Sequence, residues 1–235
     1  MSPFERFARA GMGWIITLLT PYILIMTGIR LLMSEAFLQL EYHAPGFPAD
    51  PYGFTLADRL HWSRLSVDYL LNNAGISFLE NLRFADGTPI YNSRELSHML
   101  DVKNLVQTTL QIYMVALGVL IVLVLIAVWR KWGRDYLVGL SRGGWFTVGL
   151  IVLVLVGVGV SFRWLFTEFH HLFFTGDSWL FYYSDTLIRL FPMRFWQDGF
   201  TLMGIFSLMM GLIFGIVLRP GKEPKVGAAP AKAAR

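Results

Sequence analysis

The sequence contains no cysteine, which excludes disulfides, thiolate nucleophiles and cysteine metal sites. It is also poor in charge: charged residues make up 15% of the chain, against about 25% in an ordinary soluble protein. Hydrophobic residues make up 55%. A pI near 9.4 indicates nucleic-acid binding in a soluble protein. Here the composition favours an integral membrane protein instead, and we expect no nucleic-acid partner.

Four stretches contain almost no charge and are long enough to cross a hydrocarbon core, which takes about 20 helical residues. They cover residues 10–33, 107–129, 144–165 and 199–218. We therefore predict an all-α membrane protein with four transmembrane helices. In the fourth, Gly211 and Gly215 form a small-xxx-small pattern, for which packing inside the bundle is favoured over homodimerisation. We expect a monomer.

The direction of the chain follows from its basic residues, which accumulate on the cytoplasmic side of bacterial membranes. Segments 1–9, 130–143 and 219–235 hold 11 of the 20 Lys and Arg residues but 3 of the 16 acids. Both termini and the loop 130–143 are thus predicted to be cytoplasmic, in the cell membrane. The tail 219–235, rich in Ala, Pro, Gly and Lys, is predicted to be disordered.

The first segment predicted outside, residues 34–106, is long enough to form a small, largely helical extracytoplasmic cap. Leu56–Leu71 carries an imperfect amphipathic pattern. Asn92 followed by Glu95 predicts the N-terminus of a helix that runs into the second span.

The second outer segment, residues 166–198, is rich in aromatic residues among charged ones. An interfacial aromatic belt explains a few Trp and Tyr residues at helix ends, but not so many phenylalanines. A membrane-hugging segment that lines an apolar pocket is the favoured interpretation. The candidate pocket residues are Phe169, Phe173, Phe174, Trp179 and Trp196.

All five histidines lie outside the four charge-poor stretches, so haem ligation within the bundle is not predicted. His98 and Asp101 are three residues apart on a predicted helix, where the carboxylate can orient the imidazole. From spacing alone, a simple helix-surface pair is the favoured interpretation. A histidine and carboxylate metal site is the other alternative. However, no HExxH-like pattern is present, and we expect neither metal nor cofactor.

Three blocks, in order, resemble the bacterial lipoprotein intramolecular transacylases. They are YHAPGFPADPYGF at 42–54, RELSHMLDVK at 94–103 and FHHLFF at 169–174. Ser178-Trp179 and the Phe195-Trp196 pair follow the third block. The resemblance covers nearly the whole chain except the tail.

The resemblance implies an enzyme that acts on diacylglyceryl lipoproteins within membrane lipids. It moves the sn-2 acyl chain to the α-amino group of the N-terminal cysteine. By motif, the two catalytic histidines map onto His98 and His170, although a shift of one position selects His171. Asp101, Lys103 and His171 are candidate supporting residues.

Arg163 and Arg189 are further candidates for polar contacts to the substrate, with a structural role equally open. The reaction needs no cofactor. The alternative function is a non-enzymatic membrane scaffold or complex subunit whose cap binds a lipid or protein partner.

Overall fold

The computed structural model describes residues 2–221 and is all-helical over that range. Its helices are α1 (Pro3–Leu32), α2 (Glu35–Tyr42), α3 (Leu56–Leu71), α4 (Ser77–Glu80), α5 (Ser93–Trp129), α6 (Gly133–Phe173), α7 (Thr186–Leu190) and α8 (Met193–Val217). Between residues 2 and 221, β pairing is limited to one isolated bridge between Arg83 and Pro89. Most of the predicted tail lies outside the described residues.

Helices α1, α5, α6 and α8 are each long and apolar enough to cross a membrane, so the described chain has four candidate spanning helices, the number that the sequence predicts. Helix α6 packs against both α1 and α8. Large apolar side chains such as Leu125 and Leu153 point away from the bundle, with exposures of 63% and 72%. Apolar surface of this extent is suited to contact with lipid rather than water.

A close helix contact joins α6 to α8 through glycine. A Cβ atom at Gly144 would lie 2.6 Å from both the Gly211 oxygen and the Gly215 nitrogen. The Ser141 hydroxyl donates a hydrogen bond to the Gly215 carbonyl at 2.8 Å. Both glycines of the small-xxx-small pattern therefore pack inside the bundle, as predicted.

Replacing Gly144 with leucine is expected to destabilise the bundle by about 3 kcal/mol or more, because overpacking must force α6 and α8 apart. Thermal unfolding of the detergent-solubilised protein, followed by tryptophan fluorescence, measures the effect. Gly149→Leu on the same helix is the matched control, since no atom of residues 2–221 lies within 4 Å of a Cβ there. Equal melting temperatures for the two variants would contradict tight packing at Gly144.

Two long helices extend well beyond the charge-poor stretches. Helix α5 begins at Ser93, where Asn92 and Glu95 form the predicted capping box: Glu95 N–H donates to the Asn92 side chain at 3.1 Å, and Asn92 N–H donates to Glu95 at 2.8 Å. Helix α6 continues to Phe173 and has a kink at Ser161, whose φ and ψ of −161° and 91° are non-helical. Both extensions carry histidines.

Residues 34–92, which we call the cap segment, contain the helices α2, α3 and α4. Helix α3 has the predicted bounds and begins with a capping box between Thr55 and Asp58. The cap packs on the start of α5 and on α7 around an apolar cluster, whose buried members are Tyr69, Leu79, Ile90, Tyr91, Met99, Leu187 and Leu190. This cluster fixes the cap against the end of the bundle where the histidines lie.

Candidate active site

The structure brings His98 and His170 together. His98 lies in the second turn of α5, and His170 lies in the last turn of α6. Their ring centroids are 6.0 Å apart, and the ring planes differ by 22°. Each residue is 8% exposed. Two histidines from distant parts of the chain thus form a buried, nearly parallel pair outside the charge-poor stretches.

Aromatic rings surround the histidine pair. The His98 ring meets the rings of Phe174 and Phe181 at centroid distances of 5.1 and 5.4 Å. The His170 ring lies 4.2 Å from Phe166 and 4.9 Å from Trp179. The surroundings of both imidazoles are therefore largely apolar, which disfavours a charge on either ring.

The predicted pocket residues fall into two groups. Phe174, Trp179 and Phe169 contact the His170 ring directly. Phe173 and Trp196 instead contact Phe169 and Phe166, respectively, and are 46% and 39% exposed.

Phe166 and Phe181 also line the site but were missing from the predicted pocket. Phe166 precedes His170 by four residues and so shares its helix face, a spacing that could have identified it. Phe181 lies in the irregular segment between α6 and α7, where periodicity gives no signal.

The protonation state of His170 follows from its hydrogen bond. Its Nδ1 lies 2.7 Å from the Phe166 carbonyl oxygen. A carbonyl can only accept, so Nδ1 carries the hydrogen, and Nε2 of the neutral ring has a free lone pair. Burial lowers the pKa of His170, with the bond to Phe166 opposing this effect. His170 is therefore held as a neutral base whose Nε2 is available.

His98 is also held neutral. Burial, followed by the neighbouring His170, lowers the pKa of His98 to about 4. Its Nδ1 is buried and has no hydrogen-bond partner between residues 2 and 221. Since buried polar atoms are normally satisfied, this nitrogen is positioned for a group that the protein itself does not supply.

A second unsatisfied polar atom in the site is the indole Nε1 of Trp179, which is buried without a partner in the described part of the chain. The Trp179 ring lies beside both His170 and His171, at 4.9 and 5.4 Å between centroids. An indole nitrogen can only donate. The site thus contains an unused N–H donor next to the histidine pair.

The predicted support of His98 by Asp101 is not present as a hydrogen bond. Asp101 is exposed, and its carboxylate accepts from the Ser178 hydroxyl at 3.4 Å, while His98 Nδ1 has no partner within residues 2–221. Residues three apart on a helix differ by about 60° in direction. That angle is enough to turn Asp101 outward while His98 points into the aromatic cluster. Asp101 instead contacts the loop that carries Trp179.

Lys103 and His171 also lie apart from the pair. The Lys103 ammonium donates to the Ala74 carbonyl at 2.5 Å and to Asn72 at 3.2 Å, and it lies 4.0 Å from the centre of the Tyr69 ring. These contacts give Lys103 a structural role in the cap. His171 is exposed and contacts the site through Trp179.

Arg189 has a structural role as well, because it forms a buried ion pair with Asp50 at 2.9 Å and lies 3.6 Å from the Phe54 ring centroid. Arg163 is exposed on α6. Among residues 2–221, no group of three or more His, Cys, Asp or Glu residues comes close enough to hold a metal ion.

Comparison with known proteins gives the family. Residues 14–196 match the model of the lipoprotein intramolecular transacylase Lit. The chain is 30% identical over 205 residues to an uncharacterised protein of Aquifex aeolicus, and the match covers 87% of this chain and 92% of that relative.

The fold is also similar to in meso structures of the membrane-integral lipoprotein intramolecular transacylase Lit of Bacillus cereus. One has a TM-score of 0.63 at 16% identity, covering 91% of this chain and 95% of that chain. A histidine-to-arginine variant of that protein has a TM-score of 0.71 at 15% identity, covering 92% of both chains. The structures share the fold, and the family model spans most of the sequence. This chain therefore belongs to the lipoprotein intramolecular transacylase family.

Proposed function

We propose that this protein transfers the sn-2 acyl chain of a diacylglyceryl lipoprotein to the α-amino group of its N-terminal cysteine. The product is an N-acyl lyso-lipoprotein. The observation that carries this proposal is the buried parallel pair of His98 and His170 inside an aromatic cluster. An acyl shift of this kind requires proton transfer in an apolar site and no nucleophile from the protein, because the substrate supplies the amine.

Proton transfer begins at His170, whose free Nε2 accepts a proton as the amine attacks the ester carbonyl carbon. The new C–N bond forms, the bond to the sn-2 oxygen breaks, and that oxygen receives a proton from the histidine pair. The amine therefore loses one proton and the sn-2 oxygen gains one, so the reaction needs no net uptake or release of protons. Because His98 is neutral, it does not repel the His170 cation formed during the reaction.

The negative charge that develops on the carbonyl oxygen needs a hydrogen-bond donor. The indole N–H of Trp179 is suited to this role, because it is buried beside His170 and is unsatisfied in the described chain. The His170 Nδ1–H is already committed to Phe166. We therefore assign the oxyanion contact to Trp179.

The aromatic cluster has a separate role in positioning. The ester and the amine belong to one substrate molecule and must meet through a medium-sized ring. An apolar pocket that holds the glyceryl and acyl groups can lower the barrier by several kcal/mol by restricting the other conformers. The half-exposed Phe173 and Trp196 provide apolar surface for the acyl chain at the edge of the pocket.

The distribution of basic residues supports an active site on the extracytoplasmic side of the cell membrane. The segments that carry the basic excess connect the opposite ends of the spanning helices from those that bear His98 and His170. Lipoprotein N-termini exposed at the outer leaflet would reach the site from the lipid phase.

The proposed function is tested by expression in a host that makes diacylglyceryl lipoproteins, followed by mass spectrometry of an N-terminal lipoprotein peptide. The expected product has the same mass as the substrate, but fragmentation places one acyl group on the cysteine nitrogen. Diacylglyceryl-cysteine with a free amine, recovered from cells in which the protein is folded and abundant, would contradict the proposal. It would favour the scaffold alternative.

Histidine titration gives a test that does not depend on turnover. In protein labelled with ¹⁵N-histidine, the His98 signals are expected to change little between pH 7.5 and 5.5, where an ordinary histidine becomes about 90% protonated. The signals are assigned by their loss in His98→Gln. The folded state then binds fewer protons than the unfolded state below about pH 6.5, so stability falls as the pH drops toward the lowered pKa of about 4. A His98 midpoint above pH 6 would contradict burial of the site.

A further inference from the structure

A groove of about 450 Å³ lies between the end of α2 and the first turns of α8. Its α8 residues Arg194 and Asp198 lie one turn apart on the helix face opposite to Trp196, which packs toward the histidine pair through Phe166. The groove is therefore separate from the candidate active site. It is lined by Leu40, Glu41, His43, Ala44, Pro45, Arg194, Asp198, Thr201 and Leu202.

The feature of this groove that points to a ligand is Glu41. This residue is 2% exposed, yet its Oε1 has no hydrogen-bond partner among residues 2–221. A buried carboxylate oxygen without a donor costs about 1–3 kcal/mol or more, so such atoms are rare in native proteins. The missing donor would be supplied by a molecule that enters the groove.

Asp198 lies next to Glu41 and adds a second carboxyl group. Burial, followed by the charge of the nearby Asp198, raises the pKa of Glu41 to about 7. Arg194 forms an ion pair with Asp198 and opposes this shift. With both carboxyls ionised, the three side chains carry one uncompensated negative charge. A bound cation would replace the proton that the carboxyl pair otherwise retains.

The surroundings indicate that this cation is part of an amphiphile. Leu40 and Leu202 flank the carboxyl pair and are 63% and 38% exposed. Asp198 lies only two turns into α8, at the end of the helix that we predict to lie near the outer headgroups. The Arg194 side chain is 44% exposed and is available to a phosphate next to the cation. Charged groups therefore lie at one end of the groove and apolar side chains at its flanks.

We propose that this groove binds the protonated primary amine of a membrane amphiphile, with Glu41 and Asp198 accepting its N–H groups. Two amphiphiles present this group at the outer leaflet: an ethanolamine phospholipid and the free N-terminus of a diacylglyceryl lipoprotein. A quaternary choline headgroup has the same charge but no N–H, so it leaves the Glu41 oxygen unsatisfied. The proposal goes beyond the acyl transfer and does not depend on it.

The test is native mass spectrometry of the full chain in detergent with equal amounts of a phosphatidylethanolamine and a phosphatidylcholine that have the same acyl chains. Wild-type protein is expected to retain the ethanolamine lipid at least about tenfold more than the choline lipid. Glu41→Gln should remove the preference. Glu35→Gln, an exposed glutamate on the same helix, is the matched control and should keep it.

A series of headgroups tests the same point without any variant. Retention by the wild type should fall with each N-methyl group added between ethanolamine and choline, because each removes one N–H donor. A free-amine diacylglyceryl lipopeptide that displaces the phospholipid, when its N-acetyl form does not, would identify the lipoprotein as the source of the amine. Equal retention across the methylation series, or a preference that survives in folded Glu41→Gln, would overturn the proposal.

Binding and turnover can be separated in the same material. The catalytically impaired variant His170→Asn is expected to show the wild-type headgroup preference, because His170 lies on the other side of α8. A preference without acyl transfer in the wild type would support the amine site and contradict the proposed function. Acyl transfer without a headgroup preference would support the proposed function and contradict the amine site.

Discussion

His170→Asn is expected to lower the rate of acyl transfer by about 10³-fold or more. Asparagine keeps an N–H group near the position of Nδ1 and so can still donate to the Phe166 carbonyl, but it has no nitrogen that accepts a proton. A positioned general base contributes about 10²–10⁴-fold to a reaction rate. The rate is measured with a synthetic diacylglyceryl lipopeptide in micelles, by chromatographic separation of the ester and amide forms.

The effect of His170→Asn is compared with the effects of the same substitution at other histidines. His98→Asn should cause a loss of similar size if the pair acts as one unit, since effects within a catalytic unit are not additive. His61→Asn, on an exposed face of α3, should retain nearly full activity. Full activity in His170→Asn together with none in His171→Asn would move the catalytic position by one residue. It would also contradict the assignment of His170 Nε2 as the proton acceptor.

Local signals in the sequence predicted much of the fold. Each of the four charge-poor stretches lies within one of the four long helices, except for the last residue of the first and fourth stretches, at positions 33 and 218. The helix predicted at Leu56–Leu71 has those bounds in the structure. The capping box of Asn92 and Glu95 depends on side chains three residues apart, so the sequence pattern alone predicts it. Each of these features is determined by residues that are neighbours along the chain.

The candidate site depends on contacts that are distant in sequence. The residue types at positions 98 and 170 were identified through their motifs, but their nearly parallel packing results from the kinked end of α6 meeting the start of α5. The spacing of His98 and Asp101 suggested a hydrogen bond that the helix geometry does not make. Sequence periodicity places His98 and Asp101 on neighbouring parts of one helix surface. It does not show whether both side chains face the site or only one of them does.

Buried polar atoms without hydrogen-bond partners are the feature of the site that the sequence predicts least well. Trp179 was predicted as an apolar wall of the pocket, and it does contact His170. Its N–H is buried and has no acceptor in the described part of the chain, a property that depends on how the segment between α6 and α7 folds. The same is true of Glu41 and Asp198, which are far apart in the chain and meet only because α2 packs beside α8.

Trp179→Phe is expected to lower kcat by about 10²-fold and to change KM by less than about threefold. Phenylalanine retains most of the apolar contact with His170 but removes the N–H donor. Loss of one oxyanion donor typically costs about 10²–10³-fold in kcat, because the interaction is stronger in the transition state than in the bound substrate. The measurement is the initial rate of amide formation over a range of lipopeptide concentrations in micelles.

Trp196→Phe provides the comparison for this variant, since Trp196 packs against Phe166 at the edge of the same cluster and is 39% exposed. It should change kcat by less than about fivefold, because no role in the transition state is assigned to its indole N–H. If Trp179→Phe instead raised KM and left kcat unchanged, Trp179 would be a wall of the binding pocket only. The buried N–H would then have to be explained by contact with the bound substrate rather than with the oxyanion.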